Sequence, residues 1–256
     1  MSVDLTVDRY RALARSSPWR WRTIHLSRDD WDVEAWIRRP GKMVIRRRDG
    51  SAITDSGPPQ ATSPVLVSTG WSPAPPEMLV PAQVRADALT PDMVTPKLRP
   101  DGLVAVRPED GNIEWGDPFH ENYTWVAALD PVELSHHTQI DDLRSEPLHG
   151  RETWWATVRA VEGYDPCCSC CALLWSAESD RLEGLTPGDG DDTGGRIYPD
   201  GYVVGLDVQT GIVVSLRSAD AIPAFTTFTI TIHAVDEPVP PVDVAFGPAT
   251  PPGIAL

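Results

Sequence analysis

The chain has 256 residues, a formal charge of −15 and a hydrophobic share of 41%. That size supports a substantial core in one large β-rich domain spanning residues 1–256, and the acidity argues against a general nucleic-acid binder. With 26 prolines and 19 glycines, turns and extended connections are expected in place of long helices.

The opening, MSVDLTVDRYRALARSS, lacks the basic start and apolar stretch of an export signal. No apolar run reaches membrane-spanning length. A cytoplasmic location follows as the expectation, and there cysteines stay as thiols or thiolates. Asp4 to Arg15 fits a short helix capped by Asp4 or Thr6, with Val7, Tyr10, Leu13 and Ala14 near one face. Trp19 to Ser27 alternates as a strand, and Ile24 and Leu26 mark its core side. Val33–Arg38, Lys42–Arg48 and Ser51–Thr54 follow as strands. Tight turns at Arg39-Pro40-Gly41 and Asp49-Gly50 join them into an antiparallel meander. Residues 1–50 hold 12 Lys and Arg against 7 Asp and Glu, and the rest of the chain 10 against 30. The basic head can dock on its own acidic body or on an anionic partner.

Residues 55–100 are proline-rich and read as an irregular insertion, with a helix start at Thr90-Pro91-Asp92-Met93. A short strand is expected within 101–107, and short helices at Asn122–Leu129 and Asp130–Leu134. Residues 139–150 read as an acidic linker. Arg151 to Val161 is a strand with Trp154, Ala156 and Val158 on one face and Trp155, Thr157 and Arg159 on the other. Cys167, Cys168, Cys170 and Cys171 come next, ahead of the apolar Leu173, Leu174 and Trp175. The GDGDDTGG stretch reads as a mobile loop, and Tyr202 to Arg217 as a hairpin turning at Gly211. Phe225 to Val235 closes the fold, with Thr226, Phe228, Ile230, Ile232 and Ala234 on its core side. The proline-rich tail, 248–256, is expected to be loose.

Four stretches carry a resemblance. They are Arg38-Arg39-Pro40-Gly41-Lys42 with Asp49-Gly50, His149-Gly150-Arg151-Glu152-Thr153, Leu206 to Ile212, and the threonine-rich strand 226–235 with Asp243 and Phe246 beyond it. Their order over residues 9–54 and 140–247 resembles the LolA and RseB group of lipoprotein carriers and anti-sigma regulators. The resemblance implies a mainly β fold with minor helices, in which a strongly curved antiparallel sheet forms an unclosed half-barrel. It also implies a ligand against the inner sheet face, which Trp19, Trp21, Trp36, Trp154, Phe228 and Ile230 would line. The chain differs from that group in lacking an export signal and in carrying the cysteine cluster. Its use of Trp, Pro, Arg and Asp resembles that of an actinobacterial proteome.

The chemistry-bearing residues are few. Cys167/Cys170 and Cys168/Cys171 each have C-x-x-C spacing, which lets two thiolates in a turn meet one zinc ion. All four within five residues would strain a single site, and His136, His137 or His149 could complete one. The same spacing permits redox chemistry, although no thioredoxin-like context surrounds it; buried or surface thiols beside a core strand are the plain alternative. Asp189, Asp191 and Asp192 lack the calcium-loop pattern, and no nucleophile elbow or Ser-His-acid trio is present. The leading expectation is therefore a non-enzymatic protein with an apolar groove for a lipid-like molecule or hydrophobic peptide. Two alternatives stand beside it: a protein-interaction module whose groove its own loops fill, and a cysteine-based metal or redox site. A monomer or weak homodimer is expected, with arginine- or proline-bearing edge strands shielding the sheet.

Overall fold

Alternating side chains build most of the chain into one sheet. The computed structural model describes residues 4–56, 90–108, 115, 117, 120–184, 196–224 and 226–238. Helix α1 (Val7–Ser16) begins at Thr6, whose side chain accepts from the Arg9 N–H, as an N-cap should. A 3₁₀ turn at Ser17–Trp19 follows it. The strand expected from Trp19 begins four residues later in the structure, at Thr23. Strands β1 (Thr23–Arg28), β2 (Val33–Arg38), β3 (Lys42–Arg47) and β4 (Ala52–Ser56) form the expected meander. A small hairpin, β5 (Lys97–Leu98) with β6 (Val104–Val106), lies beside α1. Helix α2 (Thr124–Leu129) leads to a 3₁₀ turn at Val132–Ser135. Then come β7 (Thr138–Ser145), β8 (Thr153–Ala160), α3 (Ala177–Leu182), β9 (Tyr202–Asp207), β10 (Val213–Ser218) and β11 (Phe228–Val235).

Among the described residues β1 pairs with β11, which joins the two meanders into a nine-stranded antiparallel sheet of order β4-β3-β2-β1-β11-β10-β9-β8-β7. The expected LolA-like half-barrel is corrected here. The sheet is open, its edges β4 and β7 each pair on one side only among the described residues, and helices packed with it make the fold mixed α/β. Alternation dictates which side of a strand is buried. It carries no instruction about how far the layer bends, and the curvature is what the resemblance implied, not what the strand pattern dictates.

Two local readings are also corrected. The acidic linker at 139–150 is in large part the edge strand β7, hydrogen-bonded to β8. Its charges sit where an edge strand needs protection from pairing with another chain. Thr90-Pro91-Asp92-Met93 forms a single turn closed by the Met93 N–H on the Thr90 carbonyl, not a helix start. Most of the 55–100 insertion, the GDGDDTGG stretch and the 248–256 tail lie outside the described residues.

The core lies on the face that α1 and α2 cover. Tyr10, Leu13, Ile24, Leu26, Trp125, Val204 and Leu206 are buried together there, and the Tyr10 hydroxyl donates to the Val204 carbonyl at 3.3 Å. β11 buries Phe228, Ile230 and Ile232 in alternation, as its sequence predicts. Two buried charges hold the frame at its ends. Asp207, at the close of β9, accepts from Arg151 at 2.7 and 3.1 Å and from the Thr210 N–H and hydroxyl at 2.8 and 2.7 Å. Arg39 donates to Asp117 at 2.8 Å and lies 3.4 Å from the Trp21 ring centre. Gly211 closes the β9–β10 turn at φ 74°, and a Cβ there would come within 2.8 Å of the Leu13 carbonyl oxygen. The turn thus seats directly on α1.

Candidate functional site

After β8 the chain turns at Gly163 and enters the cysteine loop. Ser169–Cys171 is one 3₁₀ turn, closed by the Cys171 N–H on the Cys168 carbonyl at 3.1 Å. In a 3₁₀ turn residues three apart eclipse one another, so Cys168 and Cys171 fall on one side with Cys170 between them. The Cys168 and Cys170 sulfurs are 3.1 Å apart, and those of Cys170 and Cys171 3.6 Å. All three sulfurs lie within 4.8 Å of one another, a group able to hold a metal ion. Four sulfurs placed tetrahedrally about zinc at about 2.3 Å would be about 3.8 Å apart. The Cys170–Cys171 spacing is close to that value, and the Cys168–Cys170 spacing would have to open by about 0.7 Å to reach it.

The remaining residues that the sequence offered for this site fall in different places. None of the four cysteines is in a disulfide, but the Cys167 sulfur is not a member of the group. Cys167 instead lends its backbone N–H to the Glu133 carboxylate at 3.3 Å. His136 and His137 pack edge to face at 5.8 Å, and the His137 ring presses on Gly163. His149 lines a groove elsewhere. None of these histidines joins the sulfur group among the described residues.

Charge within the group is unequal. A hydrogen bond from the Cys168 thiol, helped by the Tyr123 backbone, pulls the Cys171 thiol down to about 6. Donating that same bond, together with burial, pushes Cys168 up. Burial raises Cys170, against the pull of its hydrogen bond with Cys168 and helped by its contact with Cys171. The three thiols thus titrate as one coupled group, and a cation bound among them would favour loss of their protons.

The loop is anchored from below. Glu133, fully buried in the 3₁₀ turn after α2, accepts from the Tyr164 hydroxyl at 2.5 Å and from the Leu173 N–H at 2.9 Å, besides Cys167. Burial pushes this carboxyl up to about 7 against the pull of those donors. Leu173 and Leu174 then plug into the core. Ser176 opens α3 with a capping box, and Glu183 at its far end accepts from the Ser169 hydroxyl. Sequence reasoning missed Glu133. Its one signal was an acid in the apolar run Pro131-Val132-Glu133-Leu134, where a carboxylate has to find partners.

The six residues expected to line an apolar groove are dispersed. Trp21, Trp154, Phe228 and Ile230 belong to the core. Trp19 donates its indole N–H to the Pro91 carbonyl at 2.9 Å. Trp36 stacks on His25 at 4.4 Å on the opposite face of the sheet. That face carries a polar groove of about 710 Å³, lined by Ser27, Glu34, Arg46, Arg48, His149 and Thr231 among others. Beside it, Glu34 accepts from His25 at 2.7 Å and from Arg46.

No family model, no curated protein and no solved structure matches this chain. No helix among the described residues is long and apolar enough to cross a membrane.

Proposed function

We propose that the chain is a non-enzymatic metal-binding protein, with Cys168, Cys170 and Cys171 as the ligands and zinc as the ion they suit. The observation that carries this reading is the convergence of three sulfurs within 4.8 Å on one short turn. Thiolates are soft donors that select zinc or monovalent copper over calcium or magnesium. Three protein ligands leave the fourth zinc position to water or to a group from outside the chain. Thiol protons of the cluster are released as the ion binds.

Elemental analysis of protein purified without chelator, paired with cobalt substitution, tests this. The expected result is about one zinc per chain and a sulfur-to-cobalt charge-transfer band. Cys168→Ser, Cys170→Ser and Cys171→Ser should each weaken that band, while Cys167→Ser keeps it. Reduced protein that carries no zinc and gives no such band removes the proposal. The 3.1 Å contact between the Cys168 and Cys170 sulfurs supports a second reading, a dithiol couple. There the two thiols yield two electrons and two protons to an added disulfide oxidant. Loss of two titratable thiols, reversed by reductant in metal-free protein, is its signature.

A further inference from the structure

We propose that Glu133 is the positioning residue of the thiol centre, holding the loop that carries the three sulfurs in its metal-ready shape. This rests on the metal reading above. The geometry is specific to the loop. One carboxylate oxygen takes the N–H of Cys167, immediately before the first sulfur ligand. The other takes the N–H of Leu173, two residues past the last ligand, along with the Tyr164 hydroxyl. The Tyr164 oxygen in turn accepts the Leu174 N–H at 3.3 Å. A single side chain from the turn between α2 and β7 thus ties down both ends of the segment that bears Cys168, Cys170 and Cys171.

The choice of residue is informative. Burying a carboxylate near thiols that must become thiolates is unfavourable for charge. A neutral side chain would be easier to bury, but no neutral side chain offers two acceptor oxygens to two diverging sets of donors. Glutamine has one acceptor and one donor group. Whichever way it is turned, it faces either the Cys167 N–H or the Leu173 N–H with a donor, so one end of the loop is released. Partners of this kind, one step removed from the metal, orient the ligands, and losing one typically lowers metal affinity about 10–100-fold.

Cobalt titration of the full-length protein, wild type against Glu133→Gln, is the test, with fold checked by circular dichroism. The variant is expected to bind cobalt about 10–100-fold more weakly with unchanged stoichiometry and charge-transfer band. Asp207→Ala, at the end of β9 that pairs with the start of β8 and not with the end that leads to the cysteine loop, is expected to lose stability but keep its cobalt affinity. A merely structural Glu133 would not separate the two variants in this way. Should Glu133→Gln fail to fold, Glu133→Asp keeps the charge, is too short to reach both ends of the loop, and is read in the same way. A second arm needs no metal. Iodoacetamide labelling of chelated, reduced protein, followed residue by residue by mass spectrometry, is expected to give altered relative rates at Cys168, Cys170 and Cys171 in the variant. Wild-type cobalt affinity in the variant, or wild-type labelling rates at all three thiols, overturns the proposal. If wild-type protein binds no cobalt, the metal reading falls by itself, and the labelling rates still decide the role of Glu133.

Discussion

The buried carboxylate at Glu133 should make the metal-free protein lose stability as the pH rises from about 4.5 to about 7. Its ordinary value is 4.5, and burial moves it to about 7 in the fold. Below 4.5 the group is protonated whether the chain is folded or not, so it contributes no pH dependence. Between the two values the folded state binds more protons than the unfolded state, and stability therefore falls with rising pH. Above 7 the group is ionised in both states and the full penalty is present. A displacement of this size corresponds to roughly 3 kcal/mol, with no screening to soften it at a fully buried site. The assay is urea unfolding of chelated protein at closely spaced pH values, for wild type and Glu133→Gln. His25, His120, His136 and His233, held low chiefly by burial, push stability the opposite way as they lose protons. They are common to both proteins and cancel in the difference. Wild type should fall relative to the variant by a few kcal/mol across the window. Parallel stability curves from pH 4.5 to 7 would refute the reasoning, because they would mean that the Glu133 carboxyl titrates as it does in the unfolded chain.

Three other outcomes are expected. Asp207→Ala leaves Arg151 and the Thr210 donors facing a vacated buried site, and should cost about 3–5 kcal/mol in urea unfolding. Ile230→Ala should cost about 2–5 kcal/mol, because Ile230 is only 3% exposed in the core. A residue lining an open apolar groove would instead change ligand uptake with little loss of stability, so this variant separates the two roles. Chelation of the metal-loaded protein should lower its melting temperature and raise the labelling of Cys168, Cys170 and Cys171 together, whereas Cys167 should label at the same rate before and after.

Much of the sheet is legible in the sequence because strand parity is a local property. Ile24 and Leu26 mark the core side of β1, and Trp154, Ala156 and Val158 that of β8. Phe228, Ile230 and Ile232 do the same for β11. The bounds of β2 and the cap at Thr6 are equally local. β7 escapes such reading because an edge strand faces solvent along one side and is free to carry Asp141, Asp142 and Arg144. Its charges look like a linker until its hydrogen bonds to β8 are seen. The overall bend of the layer is not a local property at all, and inferring it from a resemblance led to the half-barrel that the structure corrects.

The site divides along the same line. C-x-x-C spacing announces that sulfurs can meet, since residues three apart share a side of a tight turn. Spacing alone could not choose between Cys167/Cys170 and Cys168/Cys171. That choice follows from where the turn begins, and the anchors of the loop lie far off in sequence. Glu133 stands 34 residues before Cys167 and 40 before Leu173. With the Cys167 N–H drawn inward to that carboxylate, the 3₁₀ turn starts at Ser169 with Cys168 as its cap. The three sulfurs that follow from this register are Cys168, Cys170 and Cys171. On the proposal above, loss of the Glu133 contacts to Cys167 and Leu173 loosens the three sulfurs without changing which cysteines supply them, so cobalt binds more weakly with an unchanged charge-transfer band.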